Sequence, residues 1–414
     1  MKQKQRAVIV GCNLKDDKEF LNMMEELCSL ANACDIELVG EITQKLERVY
    51  PSHYLGRGKI QELFTLIHEK DVNMVIFNDE LSPSQIRNLY TALKCKVIDR
   101  TVLILDILAK RSKSKEAQLQ VEIAKLQYIL PRVTGLGETL GHQAFGTGFI
   151  NKGSGETKLE LDHKKIKDRT SGLHAELETL VVQRQNQRKQ RKKSGIPVVV
   201  LVGYTNAGKS SIMNSMIDLY SSSIDKKVFE KDMLFATLET YVRNIKLPDN
   251  KSFLLSDTVG FISKLPRQLV NAFRSTLEEI TEADLLVHVV DCSNPNYKQY
   301  IEVTKKTLKE LGAGNIPIIY AYNKTDLVEG EITKDKKDCI YISAKNKAGI
   351  GELVNEICKK TFLQYVYCEL LIPYEKGNLL SYFKNNANIK SIKYNSNGVL
   401  ISMECKESDY RRYK

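Results

Sequence analysis

One stretch limits the possible folds more than any other. Residues 198–203 read VVVLVG, an unbroken β-type apolar run. It leads into Gly203, four further residues, then Gly208-Lys209-Ser210, and the helix-compatible SSIMNSMIDLY follows. Strand, glycine-bracketed loop and helix in that order form the context of a phosphate-binding loop. The glycines let the backbone curl so that its N–H groups point at phosphate oxygens, and the helix N-terminus adds a favourable dipole. Gly203, Tyr204, Thr205, Asn206, Ala207, Gly208, Lys209, Ser210 and Ser211 are therefore expected to wrap a nucleotide's phosphates. In that arrangement Lys209 reaches the β and γ phosphates, Ser210 ligates Mg2+, and Ser211 contacts the α-phosphate.

The base is specified further along. Asn323-Lys324-Thr325-Asp326 ends the apolar run IPIIYAYNK. A carboxylate at Asp326 can accept from guanine N1–H and its exocyclic amine. Adenine offers no such donor pair and would leave the acid unpaired. Asn323 is expected to brace the base and neighbouring loops, and the Lys324 stem to cover the base face. Ser343-Ala344-Lys345, after CIYIS, resembles the remaining guanine loop, with the Ala344 N–H meeting the guanine carbonyl. Asp257-Thr258-Val259-Gly260 follows the strand-like SFLLS. Here Asp257 would hold Mg2+ through water and the Gly260 N–H would sense the γ-phosphate. Thr237, in LFATL, is the expected second Mg2+ ligand, with Thr240 and Thr258 as nearby competitors. The expected catalytic set is thus Lys209, Thr237, Asp257 and Gly260. Phe261 stands where many regulatory GTPases place a water-orienting glutamine. Intrinsic hydrolysis is then expected to be slow. Asn206 resembles the asparagine of potassium-stimulated GTPases, which adds K+ as a candidate cofactor beside Mg2+.

The remainder is modular. Strand-like runs at 6–12, 36–42, 72–79 and 96–100 alternate with helical stretches at 18–30 and 58–70. Another helix is expected after Ser82, an N-cap candidate followed by Pro83 at the first helical position. This alternation implies a parallel sheet with helices on its faces. Leu119, Ile123, Leu126 and Leu130 then mark one apolar stripe on a helix. Ile166, Leu173 and Leu180, with Leu177 between, mark a second helix over about 158–192. The two are expected to pair as an antiparallel hairpin. Between them, 131–156 carries seven glycines (Gly135, Gly137, Gly141, Gly146, Gly148, Gly153 and Gly155), which allow close backbone approach to a partner. The basic run Arg184, Arg188, Lys189, Arg191, Lys192 and Lys193 and a net charge of +11 favour contact with phosphates. Nine scattered cysteines without a C-x-x-C pair fit reduced cytosolic thiols rather than a metal or disulfide framework. No signal peptide and no membrane-length apolar run is seen in the sequence.

Several segments beyond the nucleotide motifs resemble the HflX family of ribosome-associated GTPases. They are HYLGRGKIQEL (53–63), FNDELSPSQIRNL (77–89), VIDRTVLILDIL (97–108), SKEAQLQVEIAKLQYILPR (114–132) and GSGETKLELDHKKIKDR (153–169). GYTNAGKSS, LFATL and DTVGFI are similar to the family as well. One departure is Ser154, where the family often has proline. The resemblance implies an α/β multidomain protein. Its parts would be an N-terminal α/β domain (1–112), a long helical hairpin with a glycine-rich loop (113–194) and a P-loop (Ras-like) GTPase domain (195–363); the strand-like runs CELLIP and GVLISMEC in the tail add a small C-terminal α/β appendage (364–414). It also implies a monomeric cytoplasmic factor, with peripheral membrane association as a secondary expectation. Such a factor binds GTP and GDP and engages the large ribosomal subunit through the hairpin and basic run. In its GTP form it splits stalled or idle ribosomes. A GTPase acting in ribosome assembly or RNA modification is the alternative. The family's N-terminal domain has been linked to ATP. In this sequence there is no second Walker-type motif, and GRGK (56–59) reads as a turn into a helix.

Overall fold

The structure is a computed structural model that describes residues 5–15, 17, 19–133, 156–193, 195–220, 241–262, 279–328 and 339–413. For 133, 156–162, 185 and 187–193 it describes the backbone alone. The chain divides into two compact units. One holds the described residues up to Asn186, and the other, Ile262 apart, those from Gln187 on.

The first unit opens with strands β1 (Arg6–Leu14), β2 (Glu37–Leu46), β3 (Met74–Phe77) and β4 (Lys96–Asp99), in the order β2-β1-β3-β4. All pairs are parallel. Crossovers run through α1 (Phe20–Ala33), α2 (Arg57–Glu69) and α3 (Pro83–Leu93). Continuous apolar runs suit strands covered on both faces, and β3 is buried throughout. Helix α3 starts where the sequence expects. The Ser82 hydroxyl accepts from the Gln85 N–H, Gln85 returns the bond in a capping box, and Pro83 opens the helix.

The helix α4 (Arg100–Arg111) is absent from the sequence expectation. It begins directly after β4, with Asp99 as its N-cap. Asp99 is fully buried; its oxygens accept from the N–H groups of Val102 and Leu81 and from the Tyr128 hydroxyl. Desolvation pushes its carboxyl up from the ordinary range, and these donors oppose that shift. Arg100, also buried, pairs with Glu26 of α1 at 2.5 Å and donates to Asn78.

Tyr128 belongs to α5 (Lys115–Val133), the first helix of the hairpin. Pro131, where the loop was expected to begin, sits instead in the last turn of α5. Leu119, Ile123 and Leu126 face Ile166 and Leu173 of α6 (Glu156–Lys193) in one apolar cluster. Three ion pairs, Glu122–Arg169, Lys115–Glu176 and Glu116–Arg184, cross the seam. Helix α5 also has a second buried set: Ala117, Val121, Ala124 and Tyr128. It packs against α4. Arg132 extends this attachment, donating to the Leu81 carbonyl and pairing with Glu80 at 3.0 Å. Residues 134–155, with the seven glycines, lie outside the described residues.

The second unit contains a six-stranded sheet built from β5 (Val198–Gly203), β6 (Tyr241–Lys246), β7 (Ser252–Asp257), β8 (Leu285–Asp291), β9 (Ile318–Asn323) and β10 (Cys339–Tyr341). The order is β10-β9-β8-β5-β7-β6, and only β6 runs antiparallel to its neighbour. Helices α7 (Lys209–Tyr220), α8 (Tyr297–Glu310) and α9 (Ile350–Thr361) accompany it. Beyond lies a three-stranded antiparallel sheet, β11 (Tyr365–Ile372), β12 (Asn388–Asn395) and β13 (Gly398–Lys406), ordered β11-β13-β12. Its inner face packs on α10 (Gly377–Asn386) and α11 (Glu407–Tyr413) around Phe383, Ile401 and Met403.

Tyr128→Phe is expected to destabilise the first unit by about 1–3 kcal/mol, because Asp99 loses a donor in a place water does not reach. Hydrogen exchange along α5 in increasing urea checks this, with earlier opening of α5 as the expected result.

Candidate nucleotide site

The phosphate-binding loop leaves β5, the third strand from the β6 edge, and enters α7. Its curvature depends on Gly208, whose φ is +93°. A Cβ there would lie 2.2 Å from the Asn323 Nδ2. Asn206 takes a left-handed φ of +63°, a conformation that asparagine tolerates better than most residues. It is exposed, whereas Thr205 and Ala207 on either side are buried.

Lys209 is folded back over the loop. Its Nζ donates to the Gly203 carbonyl at 3.2 Å and the Tyr204 carbonyl at 2.9 Å. Burial holds the ammonium down to about 8, while Asp257 pulls it the other way. The Ser210 hydroxyl donates to Asp257 Oδ2 at 2.6 Å. Asp257 is fully buried at the end of β7. Parallel pairing of β5 with β7 places the phosphate loop and the Asp257 segment together at the C-terminal ends of their strands.

That segment continues beside the loop. The Thr205 N–H donates to the Phe261 carbonyl at 2.7 Å, and the Phe261 N–H to the Gly203 carbonyl at 3.1 Å. Gly260 is pressed so closely that a Cβ would lie 2.6 Å from Thr205 Cα and 3.0 Å from Lys209 Nζ. Val259 is buried, and Phe261 is buried too. The Thr258 hydroxyl is committed to the Leu201 carbonyl at 2.8 Å, a bond that holds β7 to β5. Thr237 and Thr240 lie outside the described residues.

The guanine-type loops meet the phosphate loop through Asn323. Its Nδ2 donates to the Ala207 carbonyl at 2.9 Å, and its Oδ1 accepts from the Ala344 N–H at 3.0 Å. The N–H assigned from sequence to a guanine carbonyl is therefore already donated to Asn323. The Ala344 carbonyl accepts from Ser215 of α7 at 2.7 Å. Ser343 donates its hydroxyl to Asp326 at 2.5 Å and accepts from the Asn346 N–H. Asp326 and Lys345 are exposed. Lys324, with φ +65°, pairs with Asp291 at 2.7 Å. Asp291 lies beside Asn323 in the β8–β9 register.

Three contributors went unnoticed in the sequence. Tyr204 stacks on Tyr300 of α8, with centroids 3.9 Å apart and planes at 8°. Asp291 secures Lys324, and Ser215 secures Ala344. Nothing local marks Tyr300, which lies almost a hundred residues from the loop. Asp291 did carry a signal, as an acid ending the strand LLVHVVD.

Three family models match in tandem. "GTP-binding GTPase N-terminal" covers residues 22–109, "GTP-binding GTPase Middle Region" covers 111–191, and "50S ribosome-binding GTPase" covers 198–324. A GTPase HflX from Caldanaerobacter subterraneus is 43% identical over 97% of this chain and 91% of its own. One from Alkalihalophilus pseudofirmus is 44% identical over 91% and 88%, and that of Escherichia coli K12 is 35% identical over 92% and 88%. Among solved structures, a GTP-binding protein from Sulfolobus solfataricus in complex with GDP aligns at 25% identity with a TM-score of 0.43. That alignment covers 87% of this chain and 99% of the other. Among the described residues no helix is long and apolar enough to cross a membrane. By identity and coverage, the chain belongs to the HflX family and is a GTP-hydrolysing enzyme.

Proposed function

We propose that the chain is a GTP-driven factor that binds the large ribosomal subunit and separates stalled or idle ribosomes into subunits. The observation that carries this reading is the helical hairpin, whose first helix is fixed near its C-terminal end to a folded domain. The Asp99–Tyr128 bond and the Arg132 contacts hold α5, and α6, at 38 residues against the 19 of α5, pairs with it through Ile166 and Leu173. At about 1.5 Å per residue α6 is about 57 Å long. Such a rod can transmit force to a large partner, as a flexible arm cannot. Several relatives carry the name HflX, and a family model named for 50S ribosome binding spans 198–324. Both agree with a ribosomal partner.

In this reading the phosphate loop, Gly203 to Ser211, wraps the triphosphate, with Lys209 turning from its own loop carbonyls to the β and γ oxygens. Ser210 and Asp257 fit a hard divalent cation. They are two oxygen donors, buried and already 2.6 Å apart beside the phosphate loop. Mg2+ held there, with Thr237 as a further ligand, would neutralise phosphate charge. The Gly260 N–H reads the γ-phosphate. Thr258 and Val259 position that N–H, and Asn206 is the candidate K+ ligand. Asp326 selects guanine, while Asn323, Lys324, Ser343, Ala344 and Lys345 shape the base pocket. Phe261 offers no polar side-chain group, so intrinsic turnover is slow until another group or a partner orients the attacking water.

The Lys209 shift gives a signed test. Phosphates favour the ammonium, so its depressed value rises when nucleotide binds and a proton is taken up. Affinity is then expected to be full below pH 8 and to fall as pH rises above it, by at most about tenfold per unit. Calorimetric titration at pH 8.5 in two buffers of different ionisation enthalpy measures the uptake. Equal apparent enthalpies would show that Lys209 is already fully charged before nucleotide binds, and would overturn the expected pH dependence.

Base selection is tested by Asp326→Asn. The guanine amine and N1–H lose their carboxylate acceptor, and GTP affinity is expected to fall about 100-fold. Xanthosine triphosphate, with a carbonyl in place of the amine, should then be preferred. Competition against a fluorescent nucleotide decides this, and retained GTP preference would sink the assignment.

Ribosome splitting is tested by sedimentation of intact ribosomes with the protein and GTP or a non-hydrolysable analogue. The protein is expected to travel with large subunits and to raise the free-subunit fraction. Replacing 134–155 by a short Gly-Ser linker spares Arg132 and should abolish splitting with GTP affinity unchanged. Binding to precursor subunits in place of mature ribosomes would support the assembly alternative instead.

A further inference from the structure

The β6–β7 hairpin joins two places that the GTPase reaction alone does not connect. At one end Tyr241 pairs with Asp257, which accepts the Ser210 hydroxyl. At the other end the turn Leu247–Lys251 meets the C-terminal sheet domain. The turn is closed by the Leu247 N–H to the Lys251 carbonyl at 2.8 Å. Asn250 adopts φ +61° at the tip, which projects its amide outward. Its Nδ2 donates to the carbonyls of Lys384 at 3.0 Å and Ala387 at 2.9 Å, where α10 ends and β12 begins. These are carbonyls that a helix C-terminus leaves without an intrahelical donor.

Lys251 secures the second contact. It is only 8% exposed and reaches Glu404 of β13 at 2.8 Å. Its Nζ lies over the rings of Phe362 and Tyr365, 5.7 and 5.4 Å from their centroids. A lysine this enclosed, with the carboxylates of Glu404 and, at 3.5 Å, Asp249 and two ring faces around it, is a fixed point rather than a solvated side chain. Between the two ends runs an unbroken ladder, Tyr241–Lys246 against Ser252–Asp257. At about 3.4 Å per residue it spans close to 20 Å. A paired ladder moves as a body, so displacing one end displaces the other.

We infer that the β6–β7 hairpin is a lever linking the nucleotide state to the C-terminal domain, with Asn250 and Lys251 as positioning residues acting through Asp257. The coupling is reciprocal. Whatever nucleotide shifts the Asp257 end changes the seating of β12 and β13, and whatever holds the C-terminal domain changes the relative affinity for GTP and GDP. The inference rests on guanine-nucleotide binding and not on the ribosomal reading, so the two can fail separately.

Hydrogen exchange on the full chain, with GDP and with a non-hydrolysable GTP analogue, tests it. Amides of 384–389 and 399–404 are expected to exchange at different rates in the two states. In Asn250→Gly, which keeps the positive φ and removes the amide, and in Lys251→Met, that difference should vanish while the difference along α7 remains. Lys251→Arg should restore it. The GDP-to-analogue affinity ratio is expected to shift by about threefold or more in the first two variants. Identical exchange of the C-terminal domain in both states of the unmodified protein would overturn the inference, whatever the variants do. So would a difference or an affinity ratio that survives both substitutions.

Discussion

The carboxamide of Asn323 is the interaction on which the nucleotide unit depends. One amide spans two loops from separate parts of the chain, donating to Ala207 and accepting from Ala344. Both partner groups belong to backbone that leaves regular structure, where no strand or helix supplies a bond. Removing the amide would therefore leave two backbone groups without their partner, not one contact weakened. The Phe261 strip on the other side of the phosphate loop does the same work with backbone alone. The loop is thus held between β7's extension and β9's end, and the glycines at 208 and 260 make room for that approach.

Buried charge organises the first unit in a comparable way. Asp99 and Arg100 are adjacent in sequence, yet they serve different neighbours. Asp99 joins α4 to the loop before α3 and to the hairpin; Arg100 joins β3 to α1. Each side chain is held by several hydrogen-bonding groups, which is the condition under which burial of such polar groups is tolerated. The hairpin consequently belongs to the N-terminal sheet as much as to itself. Its own seam is a narrow stripe, and the second buried set on α5 provides its anchorage.

Much of this was legible in the chain. The turn from β5 into α7 was legible because glycine spacing and the Lys-Ser pair are local requirements of one backbone shape. The α3 start is equally local, since Ser82, Pro83 and Gln85 satisfy each other within one turn. The hairpin stripe is periodic and so readable as well. Helix α4 was missed because it follows β4 without a turn signal, its N-cap Asp99 being also the last strand residue. The anchoring set on α5 was missed because Ala117 and Ala124 are small and Tyr128 is polar at its tip.

Sequence by itself determined the alternation of strands and helices in the N-terminal sheet, α4 apart, and the family, because each depends on residue type and spacing along the chain. Tertiary structure alone decided which residues are held together. It paired Tyr204 with Tyr300, turned Lys209 onto its own loop, gave the Ala344 N–H to Asn323 and set Lys251 against Glu404. These contacts join residues from 5 to 153 positions apart. The distant ones follow from how sheets and helices pack. Even Lys209's short-range contact depends on the burial that the surrounding sheet imposes on its charge.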